Sequence, residues 1–122
     1  MKQLLMIEDD VSVQELYTDA LKDVSVTLTG ATTGKAGLES ITKSPPDLII
    51  LDIMLPGGMN GFDVLEQLKK DPRYANIPVL VLTNLDSERE SAMNIGATDY
   101  LVKSNTSMDD LVTKVKAILA IT

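Results

Sequence analysis

The sequence predicts an α/β protein built on a parallel β-sheet with helices packed on both faces. Short apolar runs alternate with segments whose apolar residues recur at helical spacing, and this order repeats five times along the chain. Most of the apolar runs lack the alternation of a strand with one wet face, which indicates burial on both sides. We see no linker or internal repeat, so we expect residues 1–122 to form a single domain.

Five segments are predicted to be strands. The first, third and fourth are nearly continuous apolar runs, whereas the second alternates with a period of two and is expected to end at Gly30. The fifth is the sequence DYLVK. The predicted strands are residues 4–7, 24–29, 47–52, 79–83 and 99–103.

A helix is predicted after each strand. The first carries an apolar stripe at helical spacing, made of Val13, Leu16, Tyr17, Ala20, Leu21 and Val24. The third must stop before Pro72, and the fourth is expected to end at Gly96, a residue typical of helix C-termini. The predicted helices cover residues 13–24, 33–43, 62–68, 87–95 and 108–119.

The composition excludes several functions. The chain has no cysteine and no histidine, which rules out disulfides, thiolate or imidazole metal sites and His-dependent catalytic triads. The net charge of −7 argues against DNA binding by this chain alone, since phosphate contacts need clustered Lys and Arg. No segment has the length and apolarity of a membrane span or a secretion signal. We therefore expect a soluble cytoplasmic protein.

The strand ends carry a polar pattern. In open parallel α/β sheets, ligands bind outside the carboxyl ends of the strands, so these ends are the first place to look for a site. The second strand ends on the bland pair Thr29-Gly30. The polar ends are Glu8, Asp9 and Asp10 on the first strand, Asp52 on the third, Thr83 on the fourth and Lys103 on the fifth.

Each of these residues also has a plainer interpretation. Asp10 directly precedes the first helix and is expected to be its N-cap. The two acids before it could be a solvated strand end, and Asp52 could cap a turn. Thr83 and Lys103 could be ordinary strand residues. For all of these residues together the plainer interpretations are less favoured than a site, because chemically complementary groups would then meet at one sheet edge by accident.

Clustered carboxylates predict a hard divalent cation, because they cannot all stay ionised without a counter-charge. Mg²⁺ prefers oxygen ligands and is commonly bound through one or two carboxylates. A carboxylate can also act as a nucleophile and form an aspartyl-phosphate, with the metal and a Lys neutralising the phosphoryl oxygens. The sequence therefore favours a Mg²⁺-assisted phosphoryl acceptor.

Over essentially its whole length, the chain resembles the receiver domain of two-component response regulators, including the chemotaxis regulator. The motifs that carry the resemblance are IEDD, LIILDIMLPGGMNGFDVL, VLVLT and GATDYLVK. The resemblance implies a flavodoxin-like (βα)5 sandwich of three layers, whose five-stranded parallel sheet has the order 2-1-3-4-5.

The resemblance also implies a role for each site residue. Asp52 corresponds to the phosphoacceptor, and Asp9 to a direct Mg²⁺ ligand that Glu8 assists through water. Met54 corresponds to the residue whose backbone carbonyl completes the metal ligands. The other roles implied are those of Thr83 as the switch hydroxyl, Lys103 as the partner of the phosphoryl oxygens, and Tyr100 as the rotating aromatic of the switch. For Tyr100, a half-buried strand aromatic is the alternative.

The chain departs from the family pattern around the site. The loop PGGMNG is one residue longer than usual, and the interval from Thr83 to Lys103 is short, which suggests a trimmed fourth helix or loop. Thr83 is followed by Asn84, where a small residue is common. Ser104 stands where the family usually has a proline after a cis bond, so we expect the Lys103–Ser104 bond to be trans, since cis bonds are costly before other residues.

The function implied is a phosphorylation-activated switch. A sensor histidine kinase or phosphotransfer protein would supply the phosphoryl group, and the face formed by the fourth helix, fifth strand and fifth helix would change its binding of a downstream protein or a fused output domain. A phosphorylation-dependent dimer is a further possibility. The protein is then not an enzyme, apart from catalysing its own phosphotransfer and self-dephosphorylation.

Three other functions were weighed against the residues. A phosphohydrolase with an aspartyl nucleophile would carry a second acid at the position of Met54. An interaction module without phosphorylation would not need the intact set of acids, threonine and lysine. An FMN-binding protein would need a phosphate-cradling loop after the first strand, where the acids would repel phosphate.

Overall fold

The computed structural model describes residues 1–121 and has five parallel strands in one sheet, in the order β2-β1-β3-β4-β5. The strands are β1 (Lys2–Ile7), β2 (Val26–Ala31), β3 (Leu48–Leu51), β4 (Val79–Thr83) and β5 (Asp99–Val102). The helices are α1 (Val11–Ala20), α2 (Gly34–Lys43), α3 (Gly61–Lys70), α4 (Arg89–Ile95) and α5 (Met108–Leu119). The predicted flavodoxin-like fold and strand order are confirmed.

Each face of the sheet carries its own apolar core. One cluster joins the sheet to α2, α3 and α4 and includes Tyr100, and the other joins it to α1 and α5 and includes Tyr17. Every residue of β3 and β4 is buried. This double burial explains why these strands are continuous apolar runs.

Side-chain caps fix where the helices begin. The Asp10 carboxylate accepts a hydrogen bond from the Ser12 N–H, so the predicted N-cap of α1 is confirmed. Asn60 and Asp63 form a reciprocal capping box at the start of α3. These caps place the helix N-termini next to the carboxyl ends of the strands.

The prediction for the first helix was too long. The helix ends at Ala20 and continues as a turn, in which Val24 donates its N–H to the Leu21 carbonyl and both side chains remain buried. Leu16 belongs to the predicted stripe but is 53% exposed. Apolar spacing alone could not tell a helical turn from the compact turn that follows it.

The predicted end of the second strand was also wrong. β2 runs through Gly30 to Ala31, which pairs with Ile7 in the parallel ladder. A glycine is a poor strand residue in isolation, but here the ladder overrides its propensity. The extra pair carries β2 up to the level of the acids that follow β1.

The loop between β3 and α3 depends on two glycines. Gly57 and Gly58 have φ values of 87° and 81°, a region that L-residues with side chains rarely adopt. The loop then reaches Asn60, which caps α3. The fourth helix, Arg89–Ile95, is short, as expected from the reduced interval before Lys103.

Within residues 1–121, no helix is long and apolar enough to cross a membrane.

Candidate functional site

Three carboxylates meet where the central strands end. Glu8, Asp9 and Asp52 each offer an oxygen, and these oxygens lie within 4.8 Å of one another. Glu8 and Asp9 follow β1, and Asp52 follows the neighbouring strand β3. The Asp52 N–H donates a 3.1 Å hydrogen bond to the Ile7 carbonyl at the end of β1. The predicted convergence of acids is therefore present in the structure.

Glu8 is buried, which excludes the interpretation of it as a solvated strand end. Its side chain is only 3% exposed. The carboxylate accepts a 3.2 Å hydrogen bond from the Asp10 N–H, and its second oxygen is bonded to the Lys103 ammonium. Asp9, which lies between Glu8 and Asp10 in sequence, is exposed, so a ligand can reach its carboxylate from the solvent.

Asp52 is held by the loop that follows it. Its carboxylate accepts a 3.0 Å hydrogen bond from the Met54 N–H. The start of α3 packs directly against its backbone, because a Cβ at Gly61 would lie 2.2 Å from the Asp52 carbonyl oxygen. Gly61 also donates its N–H to the Ile53 carbonyl at 2.9 Å. Asp52 is consequently fixed at the floor of the site.

Lys103 joins the two buried acids. Its Nζ donates to Glu8 and, at 2.9 Å, to Asp52 Oδ2. The sequence predicted a divalent cation as the counter-charge for these acids, and in the structure Lys103 supplies part of that charge. Glu8 and Lys103 are 95 residues apart in sequence, so the pair is visible only in the folded chain.

Lys103 reaches the acids from just beyond β5. The strand ends at Val102, and Lys103 begins a short 3₁₀-helix, Lys103–Asn105. Lys103 was predicted to be the last residue of the fifth strand, but it lies one residue beyond the end of that strand. The described backbone, residues 1–121, has no cis peptide bond, which confirms the trans Lys103–Ser104 bond.

Burial and pairing oppose each other in the ionisation of this site. Burial raises the pKa of Glu8, and the hydrogen bond from Lys103 offsets only part of that increase. Burial alone would lower the pKa of Lys103, but its hydrogen bonds to Glu8 and Asp52 outweigh this and raise its pKa. The lysine therefore stays charged.

Thr83 and Tyr100 contact the backbone of the same residue, Leu85. The buried Thr83 hydroxyl accepts a 3.4 Å hydrogen bond from the Leu85 N–H, and the Tyr100 hydroxyl donates to the Leu85 carbonyl. The Tyr100 side chain is fully packed inside, rather than half-buried as the alternative interpretation had it. The main chain of Leu85 thus connects the end of β4 with the aromatic residue of β5.

Ion pairs connect α4, β5 and α5 on the face next to Leu85. Arg89 donates to the Tyr100 carbonyl at 2.7 Å and to the Asp99 carboxylate at 3.2 Å. Lys114 Nζ lies 2.6 Å from the other oxygen of Asp99. Asp99 therefore forms ion pairs with one basic side chain of α4 and one of α5.

An apolar groove of about 540 Å³ opens beside the acids. Met54 and Leu85, from the loops after β3 and β4, are two of its lining residues. The remaining lining residues are Ile53, Leu55, Asn60, Phe62 and Glu88. Met54 is 56% exposed, so an apolar side chain meets the solvent at the entrance of this groove.

Sequence reasoning missed Gln14. Its side-chain amide donates to the carbonyl of Glu8 at 2.7 Å and to that of Ala31 at 3.1 Å. The only sequence signal is that Gln14 stands three residues before Tyr17 and seven before Leu21, which places a polar residue on the helix face of these two buried side chains. That signal gives no indication of which groups the amide contacts.

The chain is similar to a known protein family and to characterised proteins. The family model of the response regulator receiver domain matches residues 4–116. A DNA-binding dual master transcriptional regulator, RpaA of Synechocystis, is 35% identical over 98% of the chain and 49% of its own length. The transcriptional regulatory protein HprR of Escherichia coli is 38% identical over 94% of the chain and 50% of its own length. The chain thus spans about half the length of these relatives.

The fold also matches solved structures. The crystal structure of the Mn²⁺-bound form of response regulator Rcp1 superimposes with a TM-score of 0.84 at 26% identity, covering 96% of this chain and 93% of that one. That structure shows a receiver-like fold with a divalent metal. The three carboxylate oxygens here are hard ligands of the kind such a cation takes.

Proposed function

Since the chain belongs to the family of response regulator receiver domains, we propose that it is a switch activated by phosphorylation of Asp52. The observation that carries the proposal is the pairing of Asp52 with Lys103 at 2.9 Å inside a group of three carboxylates. Asp52 combines a position fixed by the Met54 N–H with a cation at hydrogen-bonding distance.

The proposed reaction is a displacement at phosphorus. An Asp52 oxygen attacks the phosphoryl group of a phosphohistidine on a sensor kinase or phosphotransfer protein, and a new O–P bond forms as the N–P bond breaks. The imidazole leaves with the electron pair of that bond and takes up a proton. Lys103 holds its positive charge next to the attacking carboxylate and can pair with the phosphoryl oxygens as charge builds on them.

The proposed cofactor is Mg²⁺, which neutralises charge on the phosphoryl oxygens when it is bound. Asp9 and Asp52 would hold it directly, the Met54 carbonyl would complete the protein ligands, and Glu8 would act through water. The exposed position of Asp9 supports its role, because a hydrated ion can reach it. Glu8 is engaged by Lys103, which supports an indirect role for its carboxylate.

The proposed output is a change in the face formed by α4, β5 and α5. A phosphoryl group on Asp52 offers the Thr83 hydroxyl a new acceptor, and moving this hydroxyl would remove the acceptor of the Leu85 N–H. The Leu85 carbonyl is bonded to Tyr100, so the change would reach β5. The partner would be a downstream protein or an output domain on the same chain, and the same face could form a dimer.

Phosphorylation of Asp52 is tested by intact-protein mass spectrometry after incubation with acetyl phosphate and MgCl₂. The wild type should gain one phosphoryl group, and Asp52→Asn should gain none. Asp10→Asn is the matched control, since Asp10 caps α1 and should leave the reaction intact. An Asp52→Asn protein that is modified at the wild-type rate would overturn the proposal.

A further inference from the structure

We propose that Gln14 is a positioning residue that fixes the direction of the metal-binding acids, and that Gly30 provides the space it needs. The inference rests on the proposed Mg²⁺ site and extends it to two residues outside the acidic group. Neither residue touches the predicted ligand oxygens. Their effect would pass through the backbone of Glu8.

The backbone at the end of β1 needs a partner that the sheet does not supply. The last ladder contact on this side is the Glu8 N–H, which donates to the Ala31 carbonyl at 2.9 Å. The Glu8 carbonyl lies past this contact. Gln14 Nε2 donates to it at 2.7 Å and to the Ala31 carbonyl at 3.1 Å, so one amide group ties the ends of both strands together.

This arrangement requires the donor end of the amide. Both neighbours are carbonyl oxygens, and of the two ends of the Gln14 amide only the NH₂ group can donate to them. The main chain of Gln14 is itself held, because its N–H donates to the carbonyl of the N-cap residue Asp10 at 3.1 Å. The clamp is thus anchored in the first turns of α1.

Gly30 is shaped to accept this amide. A Cβ at position 30 would lie 2.1 Å from Gln14 Oε1 and 2.7 Å from Cδ. The obstacle is the end of a flexible side chain, so an alanine would push the amide away while leaving the strand itself in place. Gly30→Ala therefore perturbs Gln14 without changing it.

The consequence for the site follows from the peptide link. The Glu8 carbonyl belongs to the Glu8–Asp9 peptide plane, and rotation of this plane would redirect the exposed Asp9 carboxylate. Removing a group that orients a metal ligand without contacting the metal commonly lowers metal affinity about 10- to 100-fold. We expect the lower end of that range here, about 10-fold, because the clamp acts through the backbone.

The experiment measures the Mg²⁺ dissociation constant by backbone NMR, with MgCl₂ as the titrant, for the wild type, Gln14→Met and Gly30→Ala. Methionine keeps the length of the side chain and removes the donor. Each variant should raise the dissociation constant about 10-fold, and the double variant should raise it no further, since both changes remove the same contact. The Asp9 amide should shift in both metal-free variants.

Thr18→Val is the matched control on the same helix. The Thr18 hydroxyl donates to the Gln14 carbonyl at 2.8 Å, so its loss disturbs α1 without touching the amide clamp, and Mg²⁺ affinity should be unchanged. Variants that melt earlier but bind Mg²⁺ as the wild type does would show a purely structural role and overturn the inference. A wild type that does not respond to Mg²⁺ would instead overturn the proposed metal site itself.

Discussion

The position of Lys103 between two buried acids predicts a structural role in addition to its proposed functional one. We expect Lys103→Met to lower the free energy of unfolding of the metal-free protein by about 3 kcal/mol, because it leaves two carboxylates buried without their cation. Mg²⁺ should then stabilise the variant more than the wild type, since a bound cation replaces the lost charge. Urea unfolding with and without MgCl₂ measures both effects.

Lys114→Met provides the comparison. Lys114 also pairs with a carboxylate, but its side chain is 38% exposed, and such pairs contribute about 0–1 kcal/mol. If the two lysine variants lose equal stability, burial of the Glu8–Lys103–Asp52 group does not explain the contribution of Lys103 to the free energy of unfolding.

We expect Met54 and Leu85 to control a second property at the residue scale, the lifetime of the proposed phosphorylated state. Hydrolysis requires a water in line with the bond to Asp52, and two apolar side chains at this entrance can neither orient that water nor admit it freely. We expect slow self-dephosphorylation, and Met54→Asn and Leu85→Glu should accelerate it about 10- to 100-fold. Loss of radiolabelled phosphate over time measures the rate. A wild type that decays within seconds would contradict the prediction.

At the scale of elements, Asp99 is the link between α4, β5 and α5. Although burial alone would raise its pKa, the bonds from Lys114, the Tyr100 N–H and Arg89 outweigh this and lower the pKa of Asp99. A carboxyl whose folded pKa is lowered stabilises the fold above its unfolded value, about 3.9, and loses that contribution as pH falls through the folded value. Asp99→Asn should therefore cost about 1 kcal/mol at neutral pH and almost nothing in strong acid.

Urea unfolding at both pH values tests this dependence. Asp19→Asn is a suitable control, because the Asp19–Lys22 pair is exposed on both sides and lies outside this face. A cost for Asp99→Asn that is the same in acid as at neutral pH would show that packing, rather than charge, links the elements.

Element boundaries also show how far the sequence determines the structure. The five strands, the five helices and the N-cap Asp10 follow from apolar pattern and capping preference, which are local. The end of α1 and the extension of β2 to Ala31 do not follow from local patterns. The first depends on the turn after Ala20, and the second on the pairing of Ala31 with Ile7. The meeting of Lys103 with the acids was predicted from the polar strand ends, but its specific pairs and the Gln14 clamp join segments distant in sequence, and no local pattern could predict them.

At the scale of the whole molecule, the sheet is protected unequally from centre to edge. β3 and β4 are buried throughout, whereas β2 is an edge strand with exposed residues such as Thr27 and Thr29. We expect amide hydrogen exchange to be slowest in residues 49–51 and 80–82, where only global unfolding exposes the backbone, and clearly faster in β2. Protection in β2 equal to that in β3 would indicate that the edge is covered in solution.

The placement of Tyr17 and Tyr100 on opposite sides of the sheet gives the protein two built-in ultraviolet reporters. The chain has three tyrosines and no tryptophan, so its near-ultraviolet signal comes from few rings, and Tyr74, the third, is only half-buried beside Arg73. Burial raises the pKa of both Tyr17 and Tyr100, which keeps these phenols neutral until the packing around them loosens in alkali. Comparing Tyr17→Phe with Tyr100→Phe would let absorbance follow each layer separately, without an attached dye.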